Sequence, residues 1–244
     1  ADRGRFYGDV RLYDDEGTGI HFYTNREDTI ADQEMTVELS RIDLKQFKKV
    51  LPYLPDVEGW LGGSAHYVDS EGQMMLSADV SLDHFVYEKS PLGNWAMNGV
   101  YLPGDNNTHH VDGFIMHNDQ EIMFMNGIYQ TDETGKENIT GELELQHFPL
   151  WVINPFVPDG IVNFRGDIDG TLAMEGNPLK PVLNGGLQLD SVLMVMPDMS
   201  IGFRFDNKQV KMQDSKMVFD KFNIYTRGET PFVVNGSVDF SDLE

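Results

Sequence analysis

The chain contains no cysteine. Disulfides, thiolate metal sites and cysteine nucleophiles are therefore excluded, and an oxidising compartment is compatible with the sequence but not required by it. Basic residues are scarce: 18 Lys and Arg stand against 40 Asp and Glu, a formal net charge of −22 over 244 residues. Nucleic-acid binding needs clustered cations against phosphates, and docking on an anionic membrane surface needs a polybasic patch. The charge balance argues against both, while it favours solubility and keeps copies of the chain apart. No run of 18 apolar residues occurs, so no helix of this sequence spans a bilayer. No secretory leader is visible.

Catalytic signatures are missing as well. There is no G-x-S-x-G elbow, no P-loop, no G-x-G-x-x-G after a strand and no H-E-x-x-H. Carboxylates are abundant, but no two are singled out as an acid and a base, so the chain is not expected to be an enzyme. The seven histidines are scattered. His109, His110 and His117 lie closest together, beside a polar GDNNT turn and without convergent carboxylates. Asp167-Ile168-Asp169-Gly170 begins like a calcium loop, yet Pro178 stands where the bidentate Glu belongs and Leu172 interrupts the oxygen ligands. No metal or cofactor is expected.

What the sequence has is alternation of period two. Phe6, Val10 and Leu12 share a face with Gly8 between them, as do Ile20 and Phe22; Met35, Val37 and Leu39; Leu61, Ala65 and Tyr67; and Leu76, Ala78, Val80 and Leu82. The pattern resumes at Val111 and Ile115, at Ile139, Leu143 and Leu145, and at Phe164, Ile168, Leu172 and Met174. Leu183, Leu187 and Leu189 follow, then Val210 and Met212, Phe222 and Ile224, and finally Phe232, Val234, Val238 and Phe240. The intervening residues are mostly polar or Gly, as in an antiparallel sheet with one solvated face. Turn chemistry at Asp15-Glu16-Gly17, Ser70-Glu71-Gly72, Gly104-Asp105-Asn106-Asn107, Glu133-Thr134-Gly135 and Asp206-Asn207 predicts hairpins in a meander.

Two stretches break the alternation. Asp43 to Leu51 places Leu44, Phe47, Val50 and Leu51 at helical spacing, with Asp43 as cap and Pro52 as stop. Pro149 to Asn154 is a shorter helix candidate, started by Pro149 and stopped by Pro155. The two candidates sit inside a degenerate internal repeat. VELSRIDL (37–44) matches LELQHFPL (143–150), and after a one-residue gap Gly59 and Gly63 match Gly166 and Gly170. Leu61 then matches Ile168, and Leu76, Val80 and Leu82 match Leu183, Leu187 and Leu189. The expected organisation is the end of a preceding β unit (1–34), a first repeat unit (35–137) and a second, continuous with it (138–244). The start at Ala1 and the end in polar text at Glu244 read as a piece of a longer chain.

The apolar face poses the functional question. About 14 to 16 strands at roughly 4.8 Å spacing make a sheet about 70 Å long, and an apolar strip about 15 Å wide along it covers on the order of 1,000 Å². A soluble monomer leaves only a few hundred Å² bare. A second layer of the same chain, a protein partner or a lipid must cover the rest, and composition does not choose among them.

Residues 170–191, GTLAMEGNPLKPVLNGGLQLDS, resemble the repeating signature of the TamB family (translocation and assembly module), within the AsmA-like superfamily of periplasmic bridge-like proteins. Residues 204–240, with FDKFNIY and VNGSVDF, and FYGDV (6–10) are similar to Bacteroidetes-type members. The resemblance covers the C-terminal half well and the first half through the repeat. It implies an all-β fold with one or two short helices: a long curved antiparallel sheet forming an open, U-shaped apolar trough, the β-taco. It implies a periplasmic location, as part of a parent protein anchored in the inner membrane. The implied function is to hold or conduct phospholipid acyl chains between inner and outer membranes, in support of outer-membrane biogenesis. The implied partners are phospholipid, with bound phospholipid or detergent acyl chains in place of a cofactor, and, for the parent, an Omp85-type outer-membrane barrel. On this reading the trough is lined by Leu61, Tyr67, Leu76, Val80, Leu82, Phe164, Ile168, Leu172, Met174, Leu183, Leu187, Leu189, Phe232 and Val234. The alternatives are an assembly module that binds outer-membrane protein strands and a closed structural β-sandwich acting as a spacer.

Overall fold

Alternation becomes antiparallel strand along most of the chain. The structure, a computed structural model, describes residues 5–24, 31–50, 52–158, 160–226, 228 and 230–241. The chain divides into two compact units, Ala1–Glu121 and Ile122–Glu244, the break falling within a strand. In the first unit, seven described strands pair in sequence order as antiparallel neighbours: β1 (Asp9–Tyr13), β2 (Gly19–Thr24), β3 (Gln33–Asp43), β4 (Val57–Ser70), β5 (Gln73–Tyr87), β6 (Ser90–Pro103) and β7 (Thr108–His117). In the second unit, β8 (Gln120–Thr131), β9 (Glu137–Pro149), β10 (Asn163–Asn177) and β11 (Lys180–Met196) pair in order. Two short strands then share the far edge of β11: β12 (Ile201–Phe205) against Leu193–Met196 and β13 (Gln209–Gln213) against Gly185–Gln188. Both meet β14 (Lys216–Tyr225), and β15 (Phe232–Asp239) closes the order by pairing with β14.

The expected turns all lie between strands, whereas β6, β8 and β12 have no counterpart in the alternation read from sequence. β6 carries Trp95, Met97 and Tyr101 in phase, but Val100 and Leu102 blur its other face. In β8 the run Ile122-Met123-Phe124-Met125 is apolar on both sides and hides the period.

Both helical interruptions are present in modified form. The α-helix α1 covers Lys45–Val50, and the Asp43 carboxylate accepts the Lys45 N–H at 2.9 Å; Leu51 lies outside the described residues. After β9 the chain makes a 3₁₀-helix, Leu150–Phe156, rather than an α-helix, with Pro149 as its cap residue. Pro155 lies inside it instead of stopping it. The closing bond runs from the Val157 N–H to the Asn154 carbonyl at 3.1 Å, so the helix needs no N–H from residue 155. Asn154 in turn serves as a strand partner: its side chain accepts from the Phe164 N–H (2.7 Å) and donates to the Phe164 carbonyl (2.9 Å).

Five strands running in the same sense within their units carry one extra residue at the same kind of place. The tetrads are Leu39-Ser40-Arg41-Ile42, Leu82-Asp83-His84-Phe85, Leu145-Gln146-His147-Phe148, Leu189-Asp190-Ser191-Val192 and Phe219-Asp220-Lys221-Phe222. The third residue of each has φ between 47° and 53°. Such a bulge spends three residues opposite two, so the flanking apolar side chains keep one face. A left-handed non-glycine residue is costly, and four of the five are tied to a side chain of a neighbouring strand or turn. The N–H groups of His84, His147, Ser191 and Lys221 donate to the side chains of Asn94, Asp169, Asn207 and Asn235, at 2.8 to 3.0 Å.

The units differ in their cores. In the second, Leu150, Leu189, Val192, Val210 and Phe222 form one buried cluster, and Leu172, Leu187 and Met212 another. In the first, among the described residues, no hydrophobic side chain of β3, β4 or β5 is buried. Deleting Ser191 removes the extra residue and turns Val192 (4 % exposed) to the opposite face. The deletion is expected to abolish cooperative unfolding of the second unit in urea, whereas Ser191→Gly, which relieves the left-handed backbone, is expected to leave the midpoint unchanged or raised.

Candidate functional site

The continuous feature of the first unit is its apolar face, and the register shows how it is built. Leu61 stands opposite Leu82, Tyr67 opposite Leu76, and Val80 between Gly63 and Met97. The rows extend in both directions. Met35, Tyr67, Leu76, Tyr101 and Val111 lie across β3 to β7, and Leu39, Gly63, Val80, Met97 and Ile115 form a second row. Between them runs a row of small residues, Val37, Ala65, Ala78, Gly99 and Gly113. Large side chains thus flank a low strip that crosses five strands, about 19 Å at ~4.8 Å per spacing. The face is open to water: Leu76 is 41 % exposed and Met97 48 %.

The other face of the same strands is polar and internally satisfied. Asn98 donates to Asp79 at 2.6 Å, His66 lies 3.0 Å from the Thr36 hydroxyl and 3.1 Å from that of Ser64, and Tyr23 donates to Glu38 at 2.9 Å. Near the β1 edge, His21 sits between Asp9 (2.9 Å) and Glu38 (3.3 Å), and Arg11 pairs with Asp9 at 3.1 Å. The Arg11 and then the His21 contacts hold the Asp9 carboxyl below its usual range.

In the second unit the expected lining residues divide. Leu172, Leu187 and Leu189 are buried within the core clusters, and Phe164, Ile168 and Leu183 pack half-buried against them. Met174 stands opposite Leu183, and Val234 opposite Phe222. Phe232, by contrast, is 62 % exposed. Sequence reasoning missed Trp95, Met97 and Tyr101 on the open face of the first unit. The W-x-M-x-G-x-Y alternation of β6 is the signal that marks them.

Two glycines at matching places in the two units have a specific steric role. Gly63 and Gly170 have φ of +139° and +147°, and a Cβ at either would overlap a carbonyl oxygen of the neighbouring strand, that of Asp79 or Gly186.

A carboxylate cluster marks the bulge of β9. Asp167 faces Asp190 across β10 and β11, and burial first, then Asp190, pushes the Asp167 carboxyl up. His147 lies 2.6 Å from Asp169, which raises its pKa. Among the described residues no three His, Asp or Glu converge as metal ligands, and no helix is long and apolar enough to cross a membrane.

Two predictions follow from these placements. Leu187→Ala is expected to destabilise the second unit by about 2–5 kcal/mol, the usual cost of emptying a buried leucine site, whereas Leu76→Ala is expected to cost less than ~1 kcal/mol; urea denaturation of the two variants checks this. The His147–Asp169 pair is present below the ordinary histidine range and is lost as pH rises through the raised folded pKa of His147. An NMR titration should therefore show His147 titrating above 6.5, and Asp169→Asn should bring its midpoint down.

No family model, curated protein or solved structure matches this chain.

Proposed function

We propose that the first unit holds phospholipid acyl chains on its apolar face. The observation that carries this reading is the uncovered face itself. Seven strands at ~4.8 Å spacing, with inward residues every ~6.8 Å along them, present on the order of 600 Å², the upper end of what the largest apolar patch of a soluble monomer covers, and patches of that size are often functional. The strip of small residues suits such a ligand. Half of a ~30 Å hydrocarbon core, about 15 Å, is the reach of one acyl chain, and the strip spans about 19 Å. Apolar side chains solvate a chain without selecting a headgroup, and the exposed Met97 adds a flexible thioether that adapts to its shape.

The matched tetrads and glycines support the further reading that the two units contain copies of one repeat. With the sequence resemblance, they favour a segment of a TamB-like, AsmA-like periplasmic bridge whose inner-membrane-anchored parent works with an Omp85-type barrel. In that setting an array of repeats would extend the apolar strip into a trough.

The second unit has an observation of its own. Leu172 and Leu187 are packed against Met212, and Leu189 against Val192 and Phe222. This self-filled core favours a structural spacer there.

Native mass spectrometry with lipid extraction, on protein purified without harsh detergent, tests the proposal. The expected result is co-purified phospholipid that is lost in Met97→Arg while circular dichroism is unchanged. A clean apo mass from folded wild-type protein would overturn it.

A further inference from the structure

On the face of the second unit that turns away from its core, register places two guanidiniums on either side of one leucine. Leu193 of β11 stands opposite Arg165 of β10 and opposite Arg204 of β12, and Arg204 stands opposite Tyr225 of β14. Directly opposed residues share a side of the sheet. The row Arg165, Leu193, Arg204 and Tyr225 therefore lies on one face, while the chain neighbours Phe164, Val192, Phe205 and Ile224 pack into the core. The two arginine positions are about 10 Å apart, at ~4.8 Å per strand.

Among the described residues neither arginine takes part in an ion pair. Those of this unit join His147 to Asp169, Lys208 to Asp206 and Lys216 to Asp239. Asp206, two residues beyond Arg204, also accepts the Asn223 N–H at 3.1 Å. The Arg204 guanidinium lies over the Tyr225 ring, 4.8 Å from its centroid. Such a stack holds the plane of the group and leaves its N–H edge available to an acceptor. Arg204 borders a cavity of about 500 Å³ with apolar walls of Leu193, Met199 and Ile201. Gly202 lines it without adding a side chain, and Ser200 and Thr226 bring hydroxyls. Apolar walls with a few polar groups around a volume of this size are the usual form of a small-ligand site.

We propose that this cavity binds a single-chain amphiphile with an anionic oxygen headgroup, a carboxylate or a phosphate monoester. The headgroup accepts N–H bonds from Arg204, whose planar edge matches paired oxygens, and Arg165 adds a second positive charge beside it. That local charge matters in a chain of net −22, which otherwise repels anions. The alkyl tail lies over Gly202 against Leu193, Met199 and Ile201. The strands that carry the cavity, β11 and β12, are each paired on both sides. The site lies on the opposite face from the buried leucines, and the proposal is independent of acyl-chain holding by the first unit.

NMR chemical-shift titration of the full chain with octanoate, octyl phosphate and the uncharged octyl glucoside, each kept below micelle formation, is the test. The two anions are expected to shift Leu193, Gly202 and Arg204, with octyl glucoside at least tenfold weaker, and the tighter anion identifies the headgroup. Arg204→Gln should weaken the anions at least tenfold. Gly202→Val fills the cavity, and because a Cβ there meets only Leu193 Cδ1, at 3.7 Å, the fold should hold while binding falls at least tenfold. Equal binding of octyl glucoside, or anion-induced shifts confined to other residues, would overturn the proposal. So would undiminished binding to an Arg204→Gln or Gly202→Val chain that retains its circular dichroism.

Discussion

The structure depends on keeping apolar side chains on one face through long strands. Backbone pairing alone does not secure this. A strand of fifteen residues that gains or loses one position inverts everything beyond it. Here the chain gains one residue on purpose, at five tetrads, and absorbs it as a left-handed residue between two apolar ones. Leu189 and Val192 thereby reach the same cluster, as do Phe219 and Phe222. The cost of the left-handed backbone is offset by Asn and Asp side chains reaching across from the adjacent strand or turn, so residues on the polar face stabilise the order of the apolar one.

From this common device the two units make different use of the same pattern. In the second unit the split strand β12–β13 and the 3₁₀-helix after β9 bring Val210, Met212, Leu150 and Val152 into the interior, and leucines from β10 and β11 become core. In the first unit the strands that follow β5 continue the row side by side, and α1, with Phe47 39 % exposed, does not seal the face. Residues matched in sequence therefore have different surroundings: Val80 remains half-exposed where Leu187 is buried. On that contrast rests the proposal of ligand holding for the first unit and structural support for the second.

Much of the architecture was legible in the sequence. Alternation located most strands and Asp-Gly and Asn-rich turns located the hairpins, whereas the bulges inside the matched segments VELSRIDL and LELQHFPL were not read from the sequence. The misses have physical causes. β8 is apolar on both faces, so its period is hidden. Pro155 is a helix breaker only where an i→i−4 bond is needed, and a 3₁₀ turn closing at Val157 does not need one. Likewise, phase along a single strand cannot register a positive-φ residue that lets two apolar residues three apart share a face.

By itself the sequence determined the one-sided sheet, because residue alternation translates directly into sides of a pleated strand. It also determined the solvated acidic face. Only the tertiary structure decided which part of the apolar face is sealed. Leu187 is buried because Leu172 and Met212 pack against it, while Met97 stays 48 % exposed, and that difference is set by tertiary packing, not by the alternation that all the strands share.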